Sequence, residues 1–296
     1  MKHVPACFVC TTPFQLMTAM NVASLRKIEA DLYVVPQFAA ADDLSRRIRE
    51  LGIFREVVLV ATEGFEKYKR RKSRFLRHLG IAANYLKVAS IVQSFHLPNV
   101  SYEAIYLSSK ANVGRLMRLH YLKEGRRFKT IFFDDGESSY DNLLRLRPTR
   151  FDAFLQKALF GPGALADGNE LLLYSPELHR RLNPASPFRV GALPPIGQDE
   201  ATRKMFNHVF RYSPEDALDG RAVILDIHRW ENLCPGEEGN LDAAYRMLLS
   251  RFGAGNVILK RHPRDPSPAD PSFRQYTKAS VPFEVILLNM DLKGKV

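Results

Sequence analysis

Two adjacent aspartates follow a short apolar run in the stretch IFFDDGESSY, residues 131–140. Asp134 and Asp135 stand where a buried strand would end, and Gly136 behind them permits a sharp turn of the chain. A carboxylate at such a position can accept a proton from a substrate hydroxyl group. Because burial of two neighbouring carboxylates raises the pKa of at least one of them, the pair favours a general base. The alternative interpretation is a helix N-cap, since GESSYDN could begin a helix.

A second stretch whose residues could take part in a reaction is VILKRHPR, residues 257–264. His262 follows a strand-like run, and Pro263 holds the histidine in an extended conformation. A histidine there can donate a proton or a hydrogen bond to a departing phosphate oxygen, although a structural histidine is the alternative. Three cations that suit a phosphate ligand surround it: Lys260, Arg261 and Arg264.

Both stretches end strand-like runs within a regular alternation of strands and helices. Apolar, often β-branched runs alternate with longer segments of helical period, from ACFVCTT and PFQLMTAMNVASLRKI to TIFFDDG. The runs show little polar alternation, which is typical of parallel strands covered by helices on both faces. A second series runs from AVILDIH through NVILKRHPR to PFEVILLNM. The sequence therefore predicts two Rossmann-like α/β domains with parallel sheets that face a central cleft.

The predicted domain boundaries follow from a change in composition. We expect an N-terminal domain over residues 1–182, a linker region over 183–220 and a C-terminal domain over 221–296. The linker begins with NPASPFRVGALPPIGQDE, which is rich in proline and glycine. The C-terminal series shows only two or three strands before the chain stops at DLKGKV. We therefore expect the second domain to be reduced or truncated.

Length and composition indicate a globular protein of two domains. The chain has 296 residues, of which 46% are hydrophobic and 25% are charged. No apolar run reaches the roughly 18 residues of a membrane span, and MKHVPACFVC lacks a signal-peptide pattern, which favours a cytoplasmic protein. Three cysteines are too few for a disulfide framework. The C-x-x-C of Cys7 and Cys10 is interpreted as part of a buried strand, with packing favoured over metal or redox chemistry.

The net charge of +11 lies entirely in the first half of the chain. Residues 1–150 hold 25 Lys and Arg against 14 Asp and Glu, whereas residues 151–296 hold 18 of each. The densest basic run is EKYKRRKSRFLRH, residues 66–78. It is either a solvated helix face or a surface for an anionic partner such as an acidic membrane, a phosphorylated glycolipid or a nucleic acid. Nucleic acid is disfavoured, because aromatic interleaving and helix-turn-helix or zinc patterns are missing from the sequence.

Four short motifs in a fixed order carry a resemblance to a known family. The D-D-G of Asp134 to Gly136 and the K-x-H-P of Lys260 to Pro263 resemble motifs of the bacterial lipooligosaccharide sialyltransferases, glycosyltransferase family 52, which are relatives of the bacterial polysialyltransferases. CTTPFQLMTA and VPFEVILLNM are similar to two further segments of that family. The family also carries a Ser-Ser or Ser-Thr pair that binds the CMP phosphate beyond the last segment, and this chain ends at Val296 before it.

The resemblance implies a GT-B fold and an inverting transfer of sialic acid from CMP-sialic acid to a sugar hydroxyl. The acceptor would be a bacterial surface glycan, either lipooligosaccharide or capsule. Asp135 would be the general base with Asp134 in support, and His262 would be the general acid or phosphate stabiliser. No metal or cofactor is implied. The leaving nucleoside monophosphate carries less charge than a diphosphate, so that a histidine with nearby cations could stabilise it.

The resemblance also implies residues that bind the donor. Glu284 would hold the ribose hydroxyls, and the backbone around Lys260, next to Pro263, would lie near the cytosine. Thr11 and Thr12, at the turn after the first strand, would line the donor side of the cleft. The N-terminal domain would then be the acceptor-side domain and the C-terminal domain the nucleotide-sugar domain.

Two other functions stay open from the sequence. The nearer one is a GT-B enzyme that uses another nonulosonic acid or a hexose donor, and the other is a non-catalytic basic protein that binds nucleic acid. For the favoured function the expected partners are CMP-sialic acid and a glycan or glycolipid acceptor. The enzyme would be cytoplasmic and would bind peripherally to an anionic surface of the inner membrane. The acceptor sugar, the linkage and the oligomeric state, a homodimer included, are not determined by the sequence.

Overall fold

The chain forms two compact α/β units. One comprises Met1–Pro36 with Ala41–Gln198, and the other comprises Gln37–Ala40 with Asp199–Val296. The structure is a computed structural model, and it describes residues 2–38, 40–60, 82–83, 85–93, 100–108, 112–136, 138–141, 150–161, 170–213, 218, 222–225, 238–260, 272–276, 278 and 280–290. In these ranges no helix is both long enough and apolar enough to cross a bilayer.

The first unit is built on a seven-stranded sheet in which all neighbouring strands are parallel, in the order β3-β2-β1-β4-β5-β6-β7. The order reverses between β1 and β4, so this is the topological switch point, where open α/β sheets bind ligands beyond the carboxyl ends of their strands. Every residue of β2 is buried, which shows that both faces of that strand are covered. The strands are β1 Lys2–Cys10, β2 Ala30–Val34, β3 Glu56–Leu59, β4 Val100–Leu107, β5 Lys129–Phe133, β6 Glu170–Leu173 and β7 Arg189–Ala192.

Helices connect these strands in sequence. The first, α1, begins after an N-cap at Thr12 with proline in its first turn, the arrangement that most favours a helix start. The described helices of the unit are α1 Pro13–Arg26, α2 Ala41–Glu50, α3 Val88–Gln93, α4 Asn112–Lys123, α5 Ser138–Asp141, α6 Arg150–Phe160 and α7 Pro176–Leu182.

Helix α4 packs closely on the sheet at the switch point because its first turn contains Gly114. A Cβ atom at this position would overlap Cδ2 of Leu107, at the end of β4, and would lie 3.6 Å from Cβ of Val9 on β1. Leu107 and Val9 are both buried, so neither side chain can move away easily. Glycine therefore permits the start of α4 to approach the carboxyl ends of the two strands.

The second unit contains a three-stranded parallel sheet in the order β10-β9-β8. Its strands are β8 Ala222–Leu225, β9 Val257–Lys260 and β10 Arg274–Gln275, and its described helices are α8 Glu200–Phe210, α9 Glu238–Phe252 and α10 Phe283–Leu288. A small core of Tyr245, Val257, Leu259 and Phe273 joins α9 to the sheet. The predicted α/β class is therefore confirmed at the level of each unit: both are Rossmann-like structures with a parallel sheet.

The region 183–220 differs from the predicted linker. It contains β7, the edge strand of the first sheet, and α8, the first helix of the second unit. Strand β7 is only half-buried, as an edge strand can be, so its sequence RVGA carries no strong apolar signal. The boundary between the units falls at Gln198 and Asp199.

Cys7 and Cys10 are free thiols, and both are completely buried within β1. Burial raises the pKa of each thiol well above its usual value. Both side chains are therefore neutral thiols that pack in the core, as the strand interpretation predicts.

Candidate active site

The aspartate pair lies at the carboxyl edge of the seven-stranded sheet. Asp134 and Asp135 directly follow β5, two strands away from the turn that follows β1. Gly136 has a φ of +85°, a left-handed conformation that favours glycine, so the chain turns sharply there as predicted. The carboxylates thus stand beside the switch point, where the fold concentrates the loops that bind ligands.

Asp134 is the buried member of the pair, with only 2% of its surface exposed. One carboxylate oxygen, Oδ1, accepts the backbone N–H of Gly136 at 2.8 Å. The other oxygen, Oδ2, accepts the hydroxyl of Tyr140 at 2.5 Å and the backbone N–H of Tyr174 at 3.2 Å. Burial raises the pKa of the Asp134 carboxyl above its usual value, and these three hydrogen bonds oppose the rise. The bond to Gly136, two residues on, is an Asx turn rather than the predicted alternative of a helix cap.

Asp135 is half-buried, so solvent or a substrate can reach it more readily than Asp134. Its backbone N–H donates to Oγ of Ser139 at 2.7 Å, which holds the turn against the start of α5. Its Oδ1 atom accepts a hydrogen bond from Nε2 of Gln15, a residue 120 positions earlier in the chain. The two carboxylates therefore have different surroundings: one is enclosed by donors, and the other is held at the edge of the site.

The turn after β1 supplies the other side of this site. Thr11 is buried, whereas Thr12 is partly exposed and caps α1 by accepting the backbone N–H of Gln15 at 3.2 Å. Thr11 donates to Oε1 of Gln15 through both its N–H and its hydroxyl, at 2.6 and 3.1 Å. Thr11 and Thr12 thus lie at the switch point, in the turn after β1, and Gln15 in the first turn of α1 reaches Asp135.

The segment after β6 holds the aspartate turn from the opposite side. Besides the Tyr174 N–H on Asp134, the N–H of Ser175 donates to the Tyr140 hydroxyl at 3.1 Å. Asn183, at the end of α7, donates to the backbone carbonyl of Tyr140 at 2.6 Å. Burial and the bond to Asp134 raise the pKa of Tyr140 to about 12, so its hydroxyl stays protonated and can donate.

His179 completes this support from within α7. The side chain is fully buried, and burial lowers its pKa, so the imidazole is neutral. Nδ1 lies 3.3 Å from the backbone carbonyl of Ser139, and Nε2 lies 3.2 Å from Oγ of Ser186. Since a carbonyl oxygen only accepts, Nδ1 carries the hydrogen and Nε2 accepts from the serine hydroxyl. His179 therefore acts as a structural histidine that fixes Ser139, whose hydroxyl accepts the backbone N–H of Asp135.

Sequence reasoning missed Gln15, Tyr140, Tyr174 and His179. Tyr140 lies in the stretch IFFDDGESSY itself, and the signal for the other three was the polar character of TTPFQ and LYSPELH directly after two strands, at the same edge as the aspartates. Which of these side chains reach the aspartates depends on the packing of α1 and α7, which the spacing of residues along the chain does not reveal.

In the second unit, Lys260 and Glu284 are placed by β9 and α10. Lys260 is the last residue of β9 and only 5% exposed, with Nζ 5.4 Å from the ring centroid of Tyr276. Burial lowers the pKa of Lys260 to about 8, and the carboxylate of Glu284 opposes that shift. Glu284 lies in the first turn of α10 and is half-buried. Glu284 therefore favours the charged form of Lys260 at the carboxyl end of β9.

The remaining predicted site residues, His262 and Pro263, lie outside the described residues, as does the basic run of residues 66–78. Within the described ranges, no group of three or more His, Cys, Asp or Glu side chains is arranged to hold a metal ion.

Comparisons with known proteins include a distant similarity to a solved structure. No protein-family model matches the chain, and no curated protein matches it. Among solved structures, the chain is similar to the calicheamicin glycosyltransferase CalG4, with 11% identity and a TM-score of 0.48, over 97% of this chain and 72% of that one. A likeness this distant carries no argument about substrates or site residues.

Proposed function

We propose that this chain is an inverting glycosyltransferase that transfers sialic acid from CMP-sialic acid to a sugar hydroxyl of a bacterial surface glycan. The observation that carries the proposal is the division of the aspartate pair at the carboxyl edge of the sheet. Asp134 is enclosed by three hydrogen-bond donors, while Asp135 is half-buried and oriented by Gln15. A buried anchor beside a more accessible carboxylate suits a general base that must reach a substrate hydroxyl.

In the proposed reaction, Asp135 takes the proton of the acceptor hydroxyl. The acceptor oxygen forms a bond to the anomeric carbon of sialic acid, while the bond from that carbon to the phosphate oxygen of CMP breaks and CMP leaves with the electron pair. His262 stabilises or protonates the departing phosphate oxygen. General acid and base steps of this kind contribute roughly 10²- to 10⁴-fold each. No metal is assigned to this step.

Donor binding is assigned to the second unit. Glu284 would accept the ribose hydroxyls, and the backbone at Lys260 and Pro263 would face the base. The position of Lys260 as the last residue of β9 supports this assignment, because strand ends of this type are where Rossmann-like units bind nucleotides. In the first unit, the turn formed by Thr11 and Thr12 would contact the donor sugar.

The basic first half of the chain suits an anionic glycolipid acceptor at a membrane surface, and we include peripheral membrane association in the proposal. Co-sedimentation with vesicles at low salt tests it. A preference for anionic over neutral vesicles is expected, and equal binding to both would count against this part of the proposal.

The donor is tested by thermal unfolding with CMP, UMP, UDP or GDP, each in the presence of EDTA. A ligand at about 100 times its dissociation constant stabilises the folded state by roughly 2.7 kcal/mol, which moves the midpoint by several degrees. We expect CMP to stabilise the protein selectively. Stabilisation by UDP or GDP instead would overturn the donor assignment, and no stabilisation by any of the four would count against the transferase as a whole.

The base is tested by Asp135→Asn in a transfer assay with CMP-sialic acid. We expect kcat to fall by about 10²- to 10⁴-fold while stabilisation by CMP is retained, because the residue acts on the acceptor. Asp42→Asn is the matched control: the same change at an exposed position of α2 should leave the rate unchanged. His262→Ala should also abolish transfer. If Asp135→Asn transfers sialic acid at the wild-type rate, Asp135 is not the base.

A further inference from the structure

Gln15 connects the two turns of the candidate active site through a single buried side chain. Only 1% of its surface is exposed. Its carbonyl oxygen accepts both hydrogen bonds from Thr11, and its amide nitrogen donates to Oδ1 of Asp135. The side chain thus joins the end of β1 to the end of β5 across the intervening strand β4.

The direction of this amide group is fixed by its partners. The backbone N–H of Thr11 can only donate, and it lies 2.6 Å from Oε1 of Gln15. In the reversed orientation two N–H groups would face each other at Thr11, and two oxygens would face each other at Asp135. The backbone of Gln15 is fixed as well, because its N–H donates to the capping hydroxyl of Thr12. An N–H group is therefore held facing the Asp135 carboxylate.

We propose that Gln15 is a positioning residue for Asp135, which it orients and holds in the ionised form through this N–H group. The role in transfer rests on the proposed function, whereas the effect on the carboxylate does not. A hydrogen bond donated to a carboxylate favours its charged form. It also limits rotation of the group, and a displacement of about 1 Å at a reacting group can cost about 10²-fold in rate.

A helix-capping role accounts for only part of this arrangement. Thr12 at the N-cap with Gln15 three residues later resembles a capping box, but Oε1 of Gln15 accepts the backbone N–H of Thr11, one residue before the N-cap. That role uses Oε1 and Thr11. It makes no use of the N–H donated to Asp135, so a capping role alone predicts a loss of stability without any change at the carboxylate.

Two substitutions separate these roles. Gln15→Met keeps the length of the side chain but removes the donor to Asp135. Gln15→Glu keeps an oxygen for Thr11 and replaces the donor with a second oxygen, so the capping bonds persist while the contact to Asp135 becomes repulsive. The matched control is Gln156→Met. Gln156 is equally buried and donates to the hydroxyl of Tyr85 at 3.1 Å, in α6 of the same unit.

The first readout does not require activity. The carboxyl carbon of Asp135 is followed by ¹³C NMR during a pH titration, with its signal identified by loss in Asp135→Asn. We expect the titration midpoint to rise by about one pH unit in Gln15→Met and further in Gln15→Glu, because the ionised form loses a donor. It should not move in Gln156→Met. An unchanged midpoint in folded Gln15→Glu would overturn the proposal.

The second readout is transfer from CMP-sialic acid as a function of pH. Gln15→Met should lower kcat by about 10- to 100-fold with little change in KM for the donor, and the acid limb of its rate profile should move to higher pH. Gln156→Met should match the wild type. If the NMR midpoint shifts in the Gln15 variants but the wild-type protein shows no transfer activity, the positioning role is kept and the proposed function is overturned. If Gln15→Met transfers sialic acid at the wild-type rate, the positioning role is overturned.

Discussion

The hydroxyl of Tyr140 is expected to be the strongest single support of the buried carboxylate. It donates to Oδ2 of Asp134 at 2.5 Å and accepts the N–H of Ser175 at 3.1 Å. Tyr140→Phe keeps the ring and removes only this hydroxyl. Oδ2 of Asp134 then keeps the longer bond from the Tyr174 N–H, and the Ser175 N–H loses its acceptor. The substitution therefore removes two hydrogen bonds, one of them to a charged group.

The expected loss in the free energy of unfolding depends on pH. A hydrogen bond to a charged group contributes about 1.5 to 3 kcal/mol and a neutral one about 1 kcal/mol, so we expect a loss of about 2.5 to 4 kcal/mol at pH 7. The folded pKa of Asp134 is raised by burial, so its contribution to stability is greatest below the unfolded pKa and is lost as pH rises through the folded pKa. Loss of the tyrosine donor raises that pKa further. The cost of Tyr140→Phe should therefore shrink as the pH falls toward 4.

Scanning calorimetry at pH 7 and near pH 4 measures this difference. For a unit of this size, each kcal/mol moves the midpoint by about 2 to 4 °C, so a decrease of about 5 to 16 °C is expected at pH 7. The control is Tyr106→Phe. Tyr106 is also buried and stacks on Phe8 at 4.3 Å, and its hydroxyl makes no hydrogen bond among the described residues. The reasoning fails if Tyr140→Phe costs no more than this control, or if its cost is equal at both pH values.

Two further substitutions test the second unit and the switch point. Lys260→Met should stabilise the protein at pH 7 by up to about 3 kcal/mol in thermal unfolding, because it removes a buried charge whose pKa is lowered from 10.5 to about 8. The unfolded state binds more protons than the folded state between these two pKa values, so the gain should vanish as the pH rises. A gain that persists at pH 10.5 would contradict an origin in the buried charge. Gly114→Ala should cost about 1 to 3 kcal/mol through overlap with Leu107, whereas Gly255→Ala, with open space around its Cβ position, should be nearly neutral.

Much of the fold could be predicted from the sequence because its strands are short and apolar. Parallel strands buried on both faces require continuous apolar runs, and the runs that form β1, β5 and β9 are unambiguous. Strand β7 was not predicted because it lacks such a continuous apolar run. An edge strand needs less apolar surface, and RVGA between prolines is typical of a loop. The same composition concealed the boundary between the two units.

The position of the aspartates could also be predicted, since residues after parallel strands meet at one edge of the sheet. Their supports could not. Tyr174 lies 40 residues from Asp134, and Gln15 lies 120 residues from Asp135. Contacts over such separations depend on how α1 and α7 pack on the sheet, which no local pattern encodes.

The supports explain why adjacent, chemically identical residues can have different roles. A carboxylate with donors on both oxygens is restrained and has little capacity left for a substrate, and Asp134 is in this state, with one donor on Oδ1 and two on Oδ2. Asp135 is half-buried, and its orientation comes from a different turn of the chain, through Gln15. Tyr140, Tyr174 and Gly136 occupy three of the roughly four lone-pair sites of the Asp134 carboxylate, which is also buried. The greater exposure of Asp135 is the reason that we propose it as the base, with Asp134 as the residue that holds the turn.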